Sequence, residues 1–212
     1  MTAFLPTLRR RPFALLLCAL LALLQACATT PPLQAVAWQE HASQVEAMTE
    51  WALSGRLAVR QQEQAETVRI NWRQSGDNSL INLSSTFLGL GAVRIQAEPG
   101  QVVVEKAGET ARILPSLDAL SSEYIPYDFP AAWLLWWIRG LPVPELATGV
   151  QTISELGVLQ ELEQSPSPDR SYTLRYENYR EVSGLLLPGR IRLNSQGVQL
   201  TFIIDTWHSG PS

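Results

Sequence analysis

The sequence predicts a mainly antiparallel β domain carrying two or three helices. Two patterns predict the sheet. Apolar residues recur at every second position through most of the chain after residue 50, and short polar or glycine-containing turns separate the runs. A third observation predicts the helices: between residues 116 and 139 the alternation gives way to segments of helical character.

The elements follow in order. Trp38 to Glu50 has helical character, with Val45 and Met48 able to share a face. From Trp51 the period is two. Trp51, Leu53, Leu57 and Val59 alternate with Ser54, Arg56 and Arg60; Val68, Ile70 and Trp72 alternate with Arg69, Asn71 and Arg73. Further strands are expected over 79–84, 92–97, 101–105 and 110–114. Ser75-Gly76-Asp77-Asn78, Pro99-Gly100 and Ala107-Gly108 supply turns between them. A meander of this kind has one apolar face.

Leu117 and Leu120 suit a short helix after Ser116. Pro130 suits the first turn of another, and Gly140 followed by Pro142 suits its end. From Trp133 to Ile138 that second helix has almost no polar face. Strands resume with Tyr172, Leu174 and Tyr176, then Ile191 and Leu193. Val198, Leu200, Phe202 and Ile204 follow after the turn Asn194-Ser195-Gln196-Gly197. The expected total is roughly ten strands.

The N-terminus sets the compartment. Arg9, Arg10 and Arg11 precede an apolar run from Phe13 to Leu24, the pattern of a signal peptide and too short for a comfortable membrane span. The run ends in Leu24-Gln25-Ala26-Cys27, which resembles a bacterial lipobox, although Gln25 is atypical as the spacer. The resemblance implies cleavage before Cys27, acylation of Cys27 and, with Ala28 rather than Asp following, export to the outer membrane. The expected organisation is a signal peptide over 1–26, a lipidated tether over 27–37 and one domain over 38–212. Each buried methylene of an acyl chain contributes about 0.8 kcal/mol, so a multiply acylated Cys27 anchors almost permanently.

Composition narrows the function. Loss of residues 1–26 removes three arginines and no acids, leaving thirteen basic against twenty acidic side chains, a net charge of −7. Such a surface argues against nucleic-acid binding. Of the two cysteines only Cys27 would remain, so an intramolecular disulfide is excluded. His41 and His208 form no metal-ligand spacing, and no G-x-S-x-G elbow or glycine-rich phosphate loop is present. Neither an enzyme nor a cofactor or metal is expected. Function falls to the apolar features. Three of the seven tryptophans lie within 133–137. Each buried indole N–H needs an acceptor, so three so close together are hard to place in a dry core. The connection "STFLGLG" over 85–91 is the second feature: Phe87, Leu88 and Leu90 are apolar where a turn is ordinarily polar.

These residues together resemble the LolB family, outer-membrane lipoproteins that receive other lipoproteins. The resemblance rests on "WALSGRLAV", "INWRQ", "FLG", "PAAWLLWWIRGLP", "LRYENY", "LPGRIRL" and "IDTW", in that order. It implies a strongly curved antiparallel sheet, an incomplete β-barrel lidded by two or three helices and enclosing an apolar cavity. It implies that lipoproteins are accepted from the periplasmic carrier LolA and that their acyl chains are inserted into the outer membrane. It also maps the family's protruding apolar loop here, with Leu88 at the key position; Phe87 stands where a Pro is expected. The inward-facing Val68, Ile70, Trp72, Leu83, Trp133 and Trp137 are expected to line the cavity, and the protein is expected to be a monomer. Two other classes stay open: a lipoprotein binding a small lipid, and a structural assembly lipoprotein of the outer membrane.

Overall fold

The computed structural model describes residues 33–84, 92–124 and 131–210, without the side chains of 121–124. Cys27 and the signal segment lie outside the described residues, as do Phe87, Leu88, Leu90 and Pro130. The strands among the described residues are β1 (Glu50–Gln61), β2 (Gln64–Ser75), β3 (Asn78–Ser84), β4 (Ala92–Glu98), β5 (Gln101–Lys106), β6 (Arg112–Leu114) and β7 (Ala147–Ile153). They continue with β8 (Leu159–Ser167), β9 (Arg170–Glu177), β10 (Arg180–Val182), β11 (Leu185–Leu187), β12 (Arg190–Ser195) and β13 (Val198–Ser209). Eleven of them form one sheet in the order β6-β5-β4-β3-β2-β1-β13-β12-β9-β8-β7, antiparallel at every step. β6 and β7 end this order and do not pair with each other, so the sheet is not closed into a barrel. β10 and β11 pair separately.

The period-two pattern of the sequence becomes a single apolar face. Trp51 and Leu53 of β1, Ile70 and Trp72 of β2, Ile95 and Ala97 of β4, and Leu200, Phe202 and Ile204 of β13 are all buried on it. Several turns form where glycine permits a left-handed backbone, while the β1–β2 turn takes positive φ at Gln62 instead. Gly76, Gly100, Gly108 and Gly197 all have positive φ.

β13 carries a bulge that decides its far end. Ser54 faces Thr206 and Gly55 faces Ile204, so Asp205 is one residue more than β1 can match. Val198, Leu200, Phe202 and Ile204 point inward at even positions; past Asp205 the parity reverses and Trp207 points inward instead. There its indole N–H donates to the Pro188 carbonyl at 2.9 Å and its ring meets Trp51 edge-on at 5.6 Å. Gly55 is required at this place: a Cβ would lie 2.2 Å from the Ile203 carbonyl oxygen.

The helices are α1 (Trp38–Glu46), α2 (Leu117–Tyr124) and α3 (Leu134–Trp137), the last entered through a 3₁₀ turn, Ala131–Trp133. α1 is shorter than the expected 38–50 because β1 begins at Glu50. α2 starts after Ser116, whose hydroxyl accepts the Ala119 N–H at 3.2 Å as an N-cap. α3 ends as expected at Gly140, which has φ +79°. The Gly140 and Leu141 N–H groups return to the carbonyls of Trp137 and Trp136, a Schellman closure. Arg139 fastens two helices together: its guanidinium donates to the carbonyls of Val45 and Met48, both at 3.2 Å, at the end of α1, and to Leu135 at 2.8 Å. Burial lowers its pKa, while the charge of Glu46 acts in the opposite direction.

Candidate functional site

Cross-strand registers resolve the apolar face into rows. One runs Ile95, Ile81, Trp72, Leu53, Trp207 from β4 to β13. The next, nearer the β1–β2 turn, runs Val93, Leu83, Ile70, Gly55, Ile204. A third runs Val68, Leu57, Phe202, Ile191, Tyr176 from β2 to β9. Coverage falls along this series. The first row is buried throughout. In the second and third, Val93, Leu83, Val68 and Leu57 are only half-buried, and Val59 beyond them is half-buried too. These five aliphatic side chains sit on four adjacent strands. They form an incompletely covered apolar strip on the half of the face that leads into the β3–β4 connection.

The six residues expected to line a cavity divide accordingly. Ile70, Trp72 and Trp137 are 4 %, 2 % and 1 % exposed and belong to the continuous core. Leu83 and Trp133 are half-buried and pack against that core. Val68 shares the face but is not part of the cluster. At that core Trp133 and Trp137 form an aromatic contact group: both rings meet Tyr172 of β9, at 5.7 and 5.2 Å, and each other at 5.7 Å.

The three close tryptophans find three different settings. Trp137 is buried and donates its indole N–H to Gln164 Oε1 at 2.8 Å. Gln164, itself fully buried, also accepts from the Val143 N–H and donates to the Val143 carbonyl, both at 2.9 Å. Trp136 is half-buried, with the Arg139 guanidinium 5.4 Å from its ring centroid. Trp133 keeps partial exposure. Gln164 and Arg139 thus hold the helical segment to its surroundings. Sequence reasoning missed both roles, because a glutamine in a β-strand carries no pattern that marks it as buried. Among the described residues, Trp72 Nε1 and Tyr176 Oη are buried on the inner face with no hydrogen-bond partner. Burial, reinforced by Tyr179, pushes the Tyr176 phenol well up, so it stays neutral.

An open antiparallel sheet with one apolar face, helices packed on the same core and a strip left half-covered is an arrangement suited to apolar chains. The family described as outer membrane lipoprotein LolB matches residues 49–207. The chain belongs to the LolB family. Curated relatives named outer-membrane lipoprotein LolB include one from Stutzerimonas stutzeri, 34 % identical over 192 residues, covering 87 % of this chain and 90 % of the relative. Another, from Ectopseudomonas mendocina, is 32 % identical over 200 residues, covering 91 % and 95 %. Among solved structures, a LolA superfamily protein from Nitrosomonas europaea aligns with a TM-score of 0.57 at 13 % identity, over 84 % of this chain and 96 % of that one. A DUF1329 family protein from Desulfovibrio piger aligns with a TM-score of 0.54 at 9 % identity, over 82 % and 92 %. These two likenesses are of fold. The LolB match includes all six expected cavity residues and the β3–β4 connection, and it begins after Cys27.

Proposed function

We propose that this LolB-family chain is an outer-membrane lipoprotein receptor that takes lipoproteins from a LolA-type periplasmic carrier and passes their acyl chains to the outer membrane. The observation that carries this reading is the LolB match across the whole inner face, residues 49–207. The half-covered strip of Leu57, Val59, Val68, Leu83 and Val93 supports it, being where an acyl chain would extend the existing core. In this reading Ile70, Trp72 and Trp137 form the walls, and Val68, Leu83 and Trp133 the surface that the chain touches. Residues 1–26 are a signal peptide, 27–37 a tether acylated at Cys27, and 38–212 one domain acting as a monomer. Phe87, Leu88 and Leu90 form the membrane-inserting loop.

The energetics need no nucleotide. A sixteen-carbon chain in water is unfavourable by something on the order of 12 kcal/mol, at about 0.8 per methylene. Free passage through an aqueous space is therefore negligible. Transfer between two apolar sites needs only a difference in affinity, and each 1.4 kcal/mol or so gives a tenfold bias. Release is downhill if the receptor's site, where Leu57, Val68 and Leu83 are half-buried, holds the chain less well than the bilayer does.

An environment-sensitive apolar dye tests the site. A lipoprotein should displace it from the wild-type protein. Leu83→Glu, a change at a half-buried position, should weaken both dye and lipoprotein binding while the fold persists by circular dichroism. Undiminished binding in that variant would remove the inner face of β3 from the site.

A further inference from the structure

The opposite face of the same sheet is polar, and its charge is uneven. On β8, β9 and β12 the outward arginines have acidic partners: Arg175 with Glu161 at 2.8 Å, and Arg192 with Glu177 at 2.6 Å. On β4, Arg94 lies 3.8 Å from Glu105. β1 and β2 differ. Their outward positions carry Arg56, Arg60, Arg69 and Arg73, all exposed. Of these, only Arg56 has an ion pair among the described residues, a long one of 3.6 Å to Asp205. Moreover, Arg56 and Arg69 face each other directly across the β1–β2 ladder. Like charges in that position destabilise a sheet, so this pair works against the fold.

The two arginines border a groove of about 330 Å³, lined also by Ser54, Asn71 and Asp205. Gly55 and Ile70 line it as well; both belong to the inner row, so on this side they contribute backbone rather than side chains. Two guanidiniums and a side-chain amide border one small volume, together with the Ser54 hydroxyl, which shares a hydrogen bond with Thr206. Guanidinium forks match tetrahedral oxyanions better than they match each other. The one acid present, Asp205, is the bulge residue itself. It holds Arg56 at long range and would compete with an incoming anion.

We infer that the Arg56–Arg69 groove is a binding site for a phosphate-ester oxyanion, on the polar face of the sheet. An anionic phospholipid headgroup and a free phosphate share this chemistry. The neutralised pair would then no longer repel across the ladder, so ligand binding and sheet stability rise together. Nothing in this inference depends on the receptor reading, since none of the groove side chains belongs to the apolar strip.

The test uses the full lipidated protein in non-ionic detergent micelles, titrated calorimetrically at low ionic strength. The probes are inorganic phosphate, short-chain phosphatidylglycerol and short-chain phosphatidylcholine. Saturable binding of phosphatidylglycerol well above phosphatidylcholine is expected for a headgroup site, and equal or tighter binding of inorganic phosphate for a soluble one. In either case Arg56→Gln with Arg69→Gln should weaken binding at least tenfold, and raised salt should weaken it further. Asp205→Asn should tighten it several-fold by releasing Arg56. Arg73→Gln, outside the groove, should change it less than twofold. The inference is overturned if no probe binds saturably. It is equally overturned if the double variant binds as the wild type does, or if Arg73→Gln matches the double variant.

Discussion

Single side chains decide how the helical segment is held. Gln164 satisfies the Trp137 indole and both backbone groups of Val143 from one fully buried amide. Gln164→Leu keeps the volume but orphans those groups, at roughly 1–3 kcal/mol for each group left buried and unpaired. A loss on the order of 3 kcal/mol is expected, seen as a fall in Tm of about 6–12 °C for a domain of this size. His41 gives a pH signature. It is 3 % exposed in α1, and burial lowers its pKa from 6.5. Below 6.5 the unfolded chain therefore takes up a proton that the folded one resists. The contribution is intact above 6.5 and is lost as pH falls from there through the lowered folded value. Urea unfolding of His41→Gln should show less loss of stability between pH 7 and 5 than the wild type; an identical loss would assign that slope to other groups. Little at this scale was legible in the sequence. Trp137 was conspicuous as one of three clustered tryptophans expected to line a cavity, but its acceptor lies 27 residues away on a strand whose inward residue is polar.

Secondary-structure elements were legible where one face is apolar and the other wet. β1 to β6, β9, β12 and β13 follow from period-two runs and glycine turns, and α2 and the end of α3 from Ser116 and Gly140. β7 was not foreseen, since it is an edge strand exposed along nearly its whole length and so lacks alternation. β8 was hidden for a different reason. Its inward residues are Leu159, Leu162 and Gln164, a broken spacing with a polar member, and its ladders to β7 and β9 carry irregularities. The bulge on β13 was also silent, yet it places Trp207. Deleting Asp205 should remove the bulge and leave Trp207 inward opposite Leu53, because Trp207 then stands two places after Ile204. Acrylamide should then quench tryptophan emission no more strongly than in the wild type. Asp205→Asn keeps the residue count and should stay within about 0.5 kcal/mol of wild type. Stronger quenching after the deletion would mean that Trp207 does not keep its place opposite Leu53.

At the scale of the whole molecule, the sheet has two faces with different chemistry: an apolar one that meets the helices and a polar one with an uneven arginine distribution. The antiparallel, mainly β architecture was readable from patterning, and the family resemblance supplied the open, lidded sheet and its cavity. The lining could not be assigned in the same way. Periodicity says which residues share a face, but the degree of cover on Val68, Leu83 and Trp133 depends on what packs opposite them. Acceptance and delivery should be separable. Leu88→Glu should still take up lipoproteins, because it leaves Leu57, Val59, Val68, Leu83 and Val93 unchanged, but should fail to insert them. A single leucine contributes only about 1.5–3 kcal/mol on burial. That suffices to bias a chain's exit and is far too little to replace an acyl anchor. If uptake and insertion fall together, the connection acts by holding the sheet.

The most direct measurement follows one labelled lipoprotein through two steps: from loaded LolA-type carrier to this protein, then from this protein to liposomes. The receptor reading predicts both transfers without added nucleotide, with the label leaving the carrier only when the folded protein is present. A folded protein that binds free lipid or the dye but draws no label from the carrier would contradict it.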